Sequence, residues 1–164
     1  MSPIRLRRAE RGDVPTLLTL IRALANYERA PDAVIATHAD LLRDGFGPEP
    51  RFRATIAELN GTSAGFSLWF YNYSTWLGRP GIYLEDLFVM PELRGQGIGR
   101  ALLADLAQTA LAEGCGRVDW QVLDWNESAI AFYESLGARR TQGWFNMRVQ
   151  GDESLRRMAQ RSES

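Results

Sequence analysis

The sequence predicts an α/β fold: a mixed, mostly antiparallel sheet flanked by helices. Two observations predict it. Asn60-Gly61 separates two β-type runs, 52–59 and 64–73, which is a strong hairpin signal. A third β-type run, 81–90, passes through a glycine loop into a helical pattern at 97–113 and then into a further run at 118–123. A helix crossover of that kind joins parallel strands. The hairpin therefore supplies antiparallel pairs and the crossover a parallel one.

The other elements follow in order. Residues 4–8 form a short strand candidate. Asp13 can cap a helix that has Pro15 in its first turn. Leu17, Leu18, Ile21, Leu24 and Ala25 then repeat at helical spacing to about Tyr27. A loop with Pro31 follows, and Thr37 can cap a second short helix with Asp40 in its first turn and Gly45 and Gly47 after it. In the 97–113 helix, Ile98, Leu102, Leu103, Leu106, Ala107, Ala110 and Leu111 make the apolar face, and Gly114 and Gly116 end it. Asn126 caps a helix whose Ala129, Phe132, Tyr133 and Leu136 share a stripe that Gly137 closes. Two short strands are expected near 139–141 and 144–149, and 152–164 reads as a polar tail that is helical at first. One domain over 1–151 is the expectation for 164 residues.

Composition narrows the chemistry. A net charge of −1 gives no electrostatic case for nucleic acid or a membrane surface. The basic N-terminus lacks the apolar core of a signal peptide, and no run approaches a membrane span. One cysteine, Cys115, leaves no internal disulfide and suits a reducing, cytoplasmic compartment. All 19 basic residues are Arg. Without lysine the chain has neither a P-loop nor a Schiff base. One histidine, His38, and one cysteine cannot build a Cys/His zinc site, no acidic cluster has EF-hand spacing, and no metal is expected. Gly61-Thr62-Ser63-Ala64-Gly65 fits the hydrolase G-x-S-x-G pattern, but a strand follows it where the nucleophile elbow needs a helix.

The informative stretch runs from Ile82 to Leu103. It carries two acids, Glu85 and Asp86, inside an apolar strand, then Arg94-Gly95-Gln96-Gly97-Ile98-Gly99 at a helix start. Main-chain N–H groups of a first helical turn lack intrahelical partners and carry the positive end of the helix dipole. Glycines let an anion approach them, so this loop predicts a site for a phosphate-bearing ligand. The G-x-G-x-G spacing does not match the dinucleotide fingerprint. An acid inside an apolar strand costs free energy without a partner, which points Glu85 and Asp86 to function or to a buried hydrogen bond. Adjacent strand residues face opposite sides, so one of the two faces the site unless a bulge intervenes.

Arg94 to Gly99 resembles the Q/R-x-x-G-x-G/A phosphate motif of the GNAT superfamily of acyl-CoA-dependent N-acetyltransferases, and the element order is similar over nearly the whole chain. Asn26-Tyr27-Glu28, Asp44-Gly45-Phe46-Gly47, Tyr73-Ser74-Thr75-Trp76, Tyr83-Leu84-Glu85-Asp86, Val89-Met90-Pro91 and Leu123-Asp124-Trp125-Asn126 resemble its diamine/thialysine N-acetyltransferase branch. The resemblance implies a sheet with a central, splayed parallel pair and acetyl-CoA as co-substrate. It implies that the main chain of Gly95, Gln96, Gly97, Ile98 and Gly99 holds the pyrophosphate, with Arg94 and Arg100 adding charge. The pantetheine arm would pair with Leu87-Phe88-Val89. Asn126 would bond the cofactor, a role that coexists with an ordinary helix N-cap.

Direct transfer to a primary amine is the implied reaction. A lysine-like amine has a pKa of about 10.4, so at pH 7 only about one molecule in 10³ is free base. Glu85 is the candidate base and Asp86 a substrate-binding acid. Tyr133 matches the family's tyrosine acid, which protonates the departing thiolate; by its spacing alone it reads first as a core aromatic beside Phe132. Tyr27 and Glu28 match a substrate-facing segment, Glu28 otherwise reading as a solvated helix-end acid. Trp76 is either a cation–π wall of the amine site or a packing residue. The resemblance implies a homodimer acting on a small cationic amine, thialysine-like amino acids first and di- or polyamines second. A protein- or peptide-directed enzyme and a non-catalytic acyl-CoA-binding module are the alternatives.

Overall fold

A computed structural model describes residues 3–161, which fall into two compact units, Met1–Leu123 and Asp124–Ser164. In the first unit the chain order is β1 (Ile4–Arg8), α1 (Val14–Tyr27), α2 (His38–Phe46), β2 (Arg53–Leu59), β3 (Thr62–Ser74), β4 (Arg79–Val89), α3 (Ile98–Ala112) and β5 (Val118–Trp120). The five strands lie side by side in sequence order. The first three pairings are antiparallel and β4–β5 is parallel.

Both faces of this sheet are covered. On one, Val14, Leu17, Leu18, Leu20 and Leu24 of α1 and Leu41 of α2 pack on Ile56, Phe66, Leu68 and Phe88. On the other, Ile98, Leu102, Leu106 and Ala110 recur every four residues along α3 and bury against the sheet. Their partners are Ala57, Leu59 and Ala64 towards its start, and Trp69, Ile82 and Leu84 towards its end. Arg8 fastens β1 to α3. Its guanidinium pairs with Asp105 at 2.7 Å, bonds Thr55 and Thr109, and lies 4.8 Å from the Trp69 ring.

The helix starts differ in chemistry. Thr37 and Asp40 form a reciprocal capping box, the Asp40 N–H donating to Thr37 Oγ1 and the Thr37 N–H to Asp40 Oδ2. Asp13 occupies the cap position of α1, but its carboxylate does not cap. It accepts two bonds from the Arg7 guanidinium, at 2.7 and 2.9 Å, and one from the Glu10 N–H.

The second unit holds α4 (Glu127–Ser135) and α5 (Asp152–Ala159). Asn126 caps α4, its Oδ1 accepting from the Ala129 N–H at 3.3 Å. The expected strands at 139–141 and 144–149 are not formed; the backbone there is irregular. As a result the parallel pair sits at the sheet edge rather than its centre, and β5 stops at Trp120, short of residue 123. The physical reason is that a β-type sequence supplies side chains for a strand but not the ladder partner that fixes one. Among the described residues no helix is long and apolar enough to cross a membrane.

Candidate active site

The site begins with a bulge in β4. Leu68 of β3 faces Asp86, but the next residue, Trp69, faces Leu84, so Glu85 is an extra residue with no partner opposite. The bulge resets which face each side chain takes. Leu87 and Val89 pack on the α3 side, and so do Ile82 and Leu84 beyond the bulge. Phe88 packs on the α1 side, which puts Asp86, two residues away, on that face as well. Glu85 is exposed at the bulge and Asp86 is half-buried.

Three carboxylates meet here. Burial pushes the Asp86 carboxyl up to about 7, and the charges of Glu85 and Glu28 push in the same direction. Glu28 caps the C-terminal end of α1, and partial burial raises its carboxyl too. Tyr27, the last residue of α1, sets its ring 6.3 Å from that of Phe88. The arrangement favours whatever neutralises the acids: protons, or a cationic group.

The glycine loop adjoins them in sequence and space. Gly95 and Gly97 have φ of +78° and +84°, a region that disfavours side chains. Gly97 caps α3, and the Ala101 N–H makes the bond back to the Gly97 carbonyl, at 3.0 Å. The N–H groups of Ile98, Gly99 and Arg100 therefore have no intrahelical acceptor. Ile98 is buried and anchors the helix start, while Gln96 and Arg100 are exposed. Arg94 turns towards the acids' side: its Nε donates to the Val89 carbonyl at 3.0 Å, and its guanidinium lies 4.3 Å from the Tyr27 ring and 5.5 Å from Phe88.

β4 also offers a free edge. Its parallel pairing with β5 runs from Ile82↔Val118 to Leu84↔Trp120, leaving Glu85–Val89 without a strand on that side among the described residues. The Met90 N–H donates to the Ala64 carbonyl of β3. By the two-residue alternation, Phe88 bonds β3, while Leu87 and Val89 turn their N–H and C=O groups to the open edge. An extended, amide-bearing ligand could continue the ladder there.

The structure thus brings together Tyr27, Glu28, Glu85, Asp86, Leu87, Phe88, Val89 and the 94–100 loop. Trp76 does not join them within this chain. It is 88% exposed in the turn before β4, roughly 20 Å of strand from Asp86. Asn126 and Tyr133 belong to the second unit, where Asn126 caps α4 and Tyr133 sits 5.7 Å, ring to ring, from Phe132.

The sequence reading left the bulge open as an exception and missed the stacking of Arg94 on Tyr27. The bulge has a signal after all: the residues of one face fall at 82, 84, 87 and 89, and the step of three breaks the strand period. The stacking of Arg94 on Tyr27 has none, because the two are far apart in the chain.

Comparison with known proteins shows the family. The model of the acetyltransferase (GNAT) family matches residues 18–138. A thialysine N-epsilon-acetyltransferase of Sus scrofa is 40% identical over 97% of this chain and 99% of its own length. An L-ornithine N5-acetyltransferase of Arabidopsis thaliana is 31% identical, covering 90% of this chain and 85% of that protein. Among solved structures, an integron cassette protein from the mobile metagenome of V. cholerae superposes with a TM-score of 0.81 at 26% identity, covering 98% of this chain and 99% of that one. The chain belongs to the acetyltransferase (GNAT) family and is an acetyl-CoA-dependent N-acetyltransferase.

Proposed function

We propose that this enzyme acetylates a primary amine of a small cationic substrate, a thialysine-like amino acid or a di- or polyamine, by direct transfer from acetyl-CoA in a ternary complex. The observation that carries this reading is the half-buried Asp86 beside Glu28 and Glu85, next to the 94–100 loop. Such a cluster is costly empty and suits an ammonium group. The names of the relatives, a thialysine and an ornithine acetyltransferase, support the same substrate class.

The residues divide the work as follows. The free N–H groups of Ile98, Gly99 and Arg100 receive the pyrophosphate, and the open edge at Leu87 and Val89 takes the pantetheine amides. Asn126 adds a hydrogen bond to the cofactor. Asp86, Glu28 and Tyr27 hold the cationic acceptor. Glu85, exposed at the bulge, accepts the ammonium proton directly or through water. The free amine attacks the thioester carbonyl, the tetrahedral intermediate collapses, and Tyr133 gives its proton to the departing thiolate. The enzyme is proposed to work in the cytoplasm as a homodimer. The observation supporting the dimer is a run in which Phe145, Met147 and Val149 alternate with polar residues, Phe145 being 93% and Met147 90% exposed.

The test is release of CoA thiol from acetyl-CoA over thialysine, lysine, ornithine, putrescine, spermidine and a lysine peptide. Turnover concentrated on one small cationic amine is the expected result. Preference for the peptide, or no release with any amine while acetyl-CoA still binds, overturns the substrate assignment. Within an active enzyme, Tyr133→Phe should lower kcat by about 10²-fold with acetyl-CoA affinity kept. Glu85→Gln should lower kcat and move the pH–rate profile. Unchanged values remove those roles.

A further inference from the structure

We infer that Arg94 is a positioning residue for the acceptor amine: by clamping the end of α1 it couples the phosphate loop to the amine side of the site. This rests on the reading of Glu28 and Asp86 as the amine-binding acids.

The argument starts from where the guanidinium goes. Arg94 opens the glycine loop, yet its side chain reaches back across β4. It donates to the Val89 carbonyl and covers the Tyr27 ring at 4.3 Å, with Phe88 at 5.5 Å. Two aromatic faces from two elements and one main-chain acceptor thus fix a single planar cation. Tyr27 is the last residue of α1, and the next residue is Glu28, whose charge acts on Asp86. The acidic cluster therefore depends on how the end of α1 is held, and Arg94 holds it. The contacts of Arg94 are with the Tyr27 and Phe88 rings and the Val89 carbonyl, so its influence on the acids is assigned to the Tyr27 ring.

The clamp has a consequence for binding. The Val89 carbonyl that Arg94 occupies faces the open edge of β4, where the cofactor arm is proposed to pair. A pantetheine amide and the Arg94 Nε compete for, or share, one oxygen that has two lone pairs. Loading the cofactor then changes the hold on Tyr27, and the amine site responds. Binding free energies are reciprocal, so bound amine must alter acetyl-CoA affinity by the same factor.

The experiment is a double-substitution cycle with two readouts. Arg94→Met removes the cation and keeps the length; Tyr27→Leu removes the ring; the double variant carries both. In ligand-free protein, hydrogen exchange of the amides at 28–30 should quicken several-fold in Arg94→Met. With the best amine from the thiol-release panel, Arg94→Met and Tyr27→Leu should each raise the amine KM about five- to tenfold, and the double variant should be no worse than Tyr27→Leu alone. Unchanged exchange at 28–30, effects on amine KM that multiply, or an effect of Arg94→Met confined to acetyl-CoA affinity overturns the coupling. The exchange readout needs no turnover. An enzyme inactive on every amine therefore overturns the substrate reading, while the exchange result still decides the clamp.

Discussion

Asp86 is a liability to the folded chain and, in the proposed reading, the centre of the amine site. Its carboxyl normally titrates near 3.8, but burial and two neighbouring acids move it to about 7. The raised value means that ionisation costs more in the folded chain than in the unfolded one. Ligand-free stability is therefore fully present below the unfolded value and is lost as pH rises from about 4 through 7. Asp86→Asn should gain about 1–3 kcal/mol relative to the unsubstituted protein at pH 8, after allowance for partial exposure, and nothing at pH 4. Urea unfolding at the two pH values reads this. With Asp86 as the proposed amine-binding acid, amine binding should have the opposite dependence. An ammonium group favours the ionised carboxylate, so below pH 7 the amine must displace a proton from Asp86. Calorimetric affinity for the amine should weaken by up to about tenfold per pH unit below 7 and level off above it. In Asp86→Asn it should be weaker at pH 8 and nearly flat from pH 6 to 8. A variant that keeps the pH dependence places the titrating group elsewhere.

At the scale of elements, the sequence made most of the scaffold legible. Asn60-Gly61, the Thr37–Asp40 box, the four-residue repeat of α3 and the glycine loop are local chemistry, and local chemistry is what a sequence displays. Asp13 is instructive: its place at the start of α1 was readable, but its carboxylate went to Arg7, a competition decided by tertiary contact. The bulge at Glu85 lies at the same limit. It sets Glu85 and Asp86 on different sides of the strand in a way the regular alternation does not, and it depends on the register against β3, a non-local fact. The residues proposed for the cofactor side form one local motif; the charge of Glu28 acting on Asp86 comes from another element, which no local pattern displays. Gly97 tests the loop as an element. With φ +84° and nothing within 4 Å of where a Cβ would sit, Gly97→Ala meets a backbone cost rather than a clash. It should cost about 1–2 kcal/mol in urea unfolding, and acetyl-CoA affinity should fall with it as the first turn of α3 re-forms. Full acetyl-CoA affinity in this variant would detach the phosphate site from the loop geometry.

At the scale of the molecule, the residues that failed to form strands carry the clearest expectation. The sequence at 145–149 alternates Phe, Asn, Met, Arg, Val, the period of a strand with one apolar face. Phe145 and Met147 are almost fully exposed, which is costly for side chains of their size. Among the described residues this segment has strand chemistry and no ladder partner, and in the proposed homodimer a second copy of the same chain supplies one symmetrically. The unsubstituted protein should therefore sediment at twice the mass of one chain at micromolar concentrations. Phe145→Asp with Met147→Asp should shift it to the single chain, because charged residues on the apolar face oppose burial. The double variant should keep acetyl-CoA binding if its first unit folds independently of the assembly. A single-chain mass for the unsubstituted protein at tens of micromolar would leave this run to another partner and would remove the homodimer from the proposal.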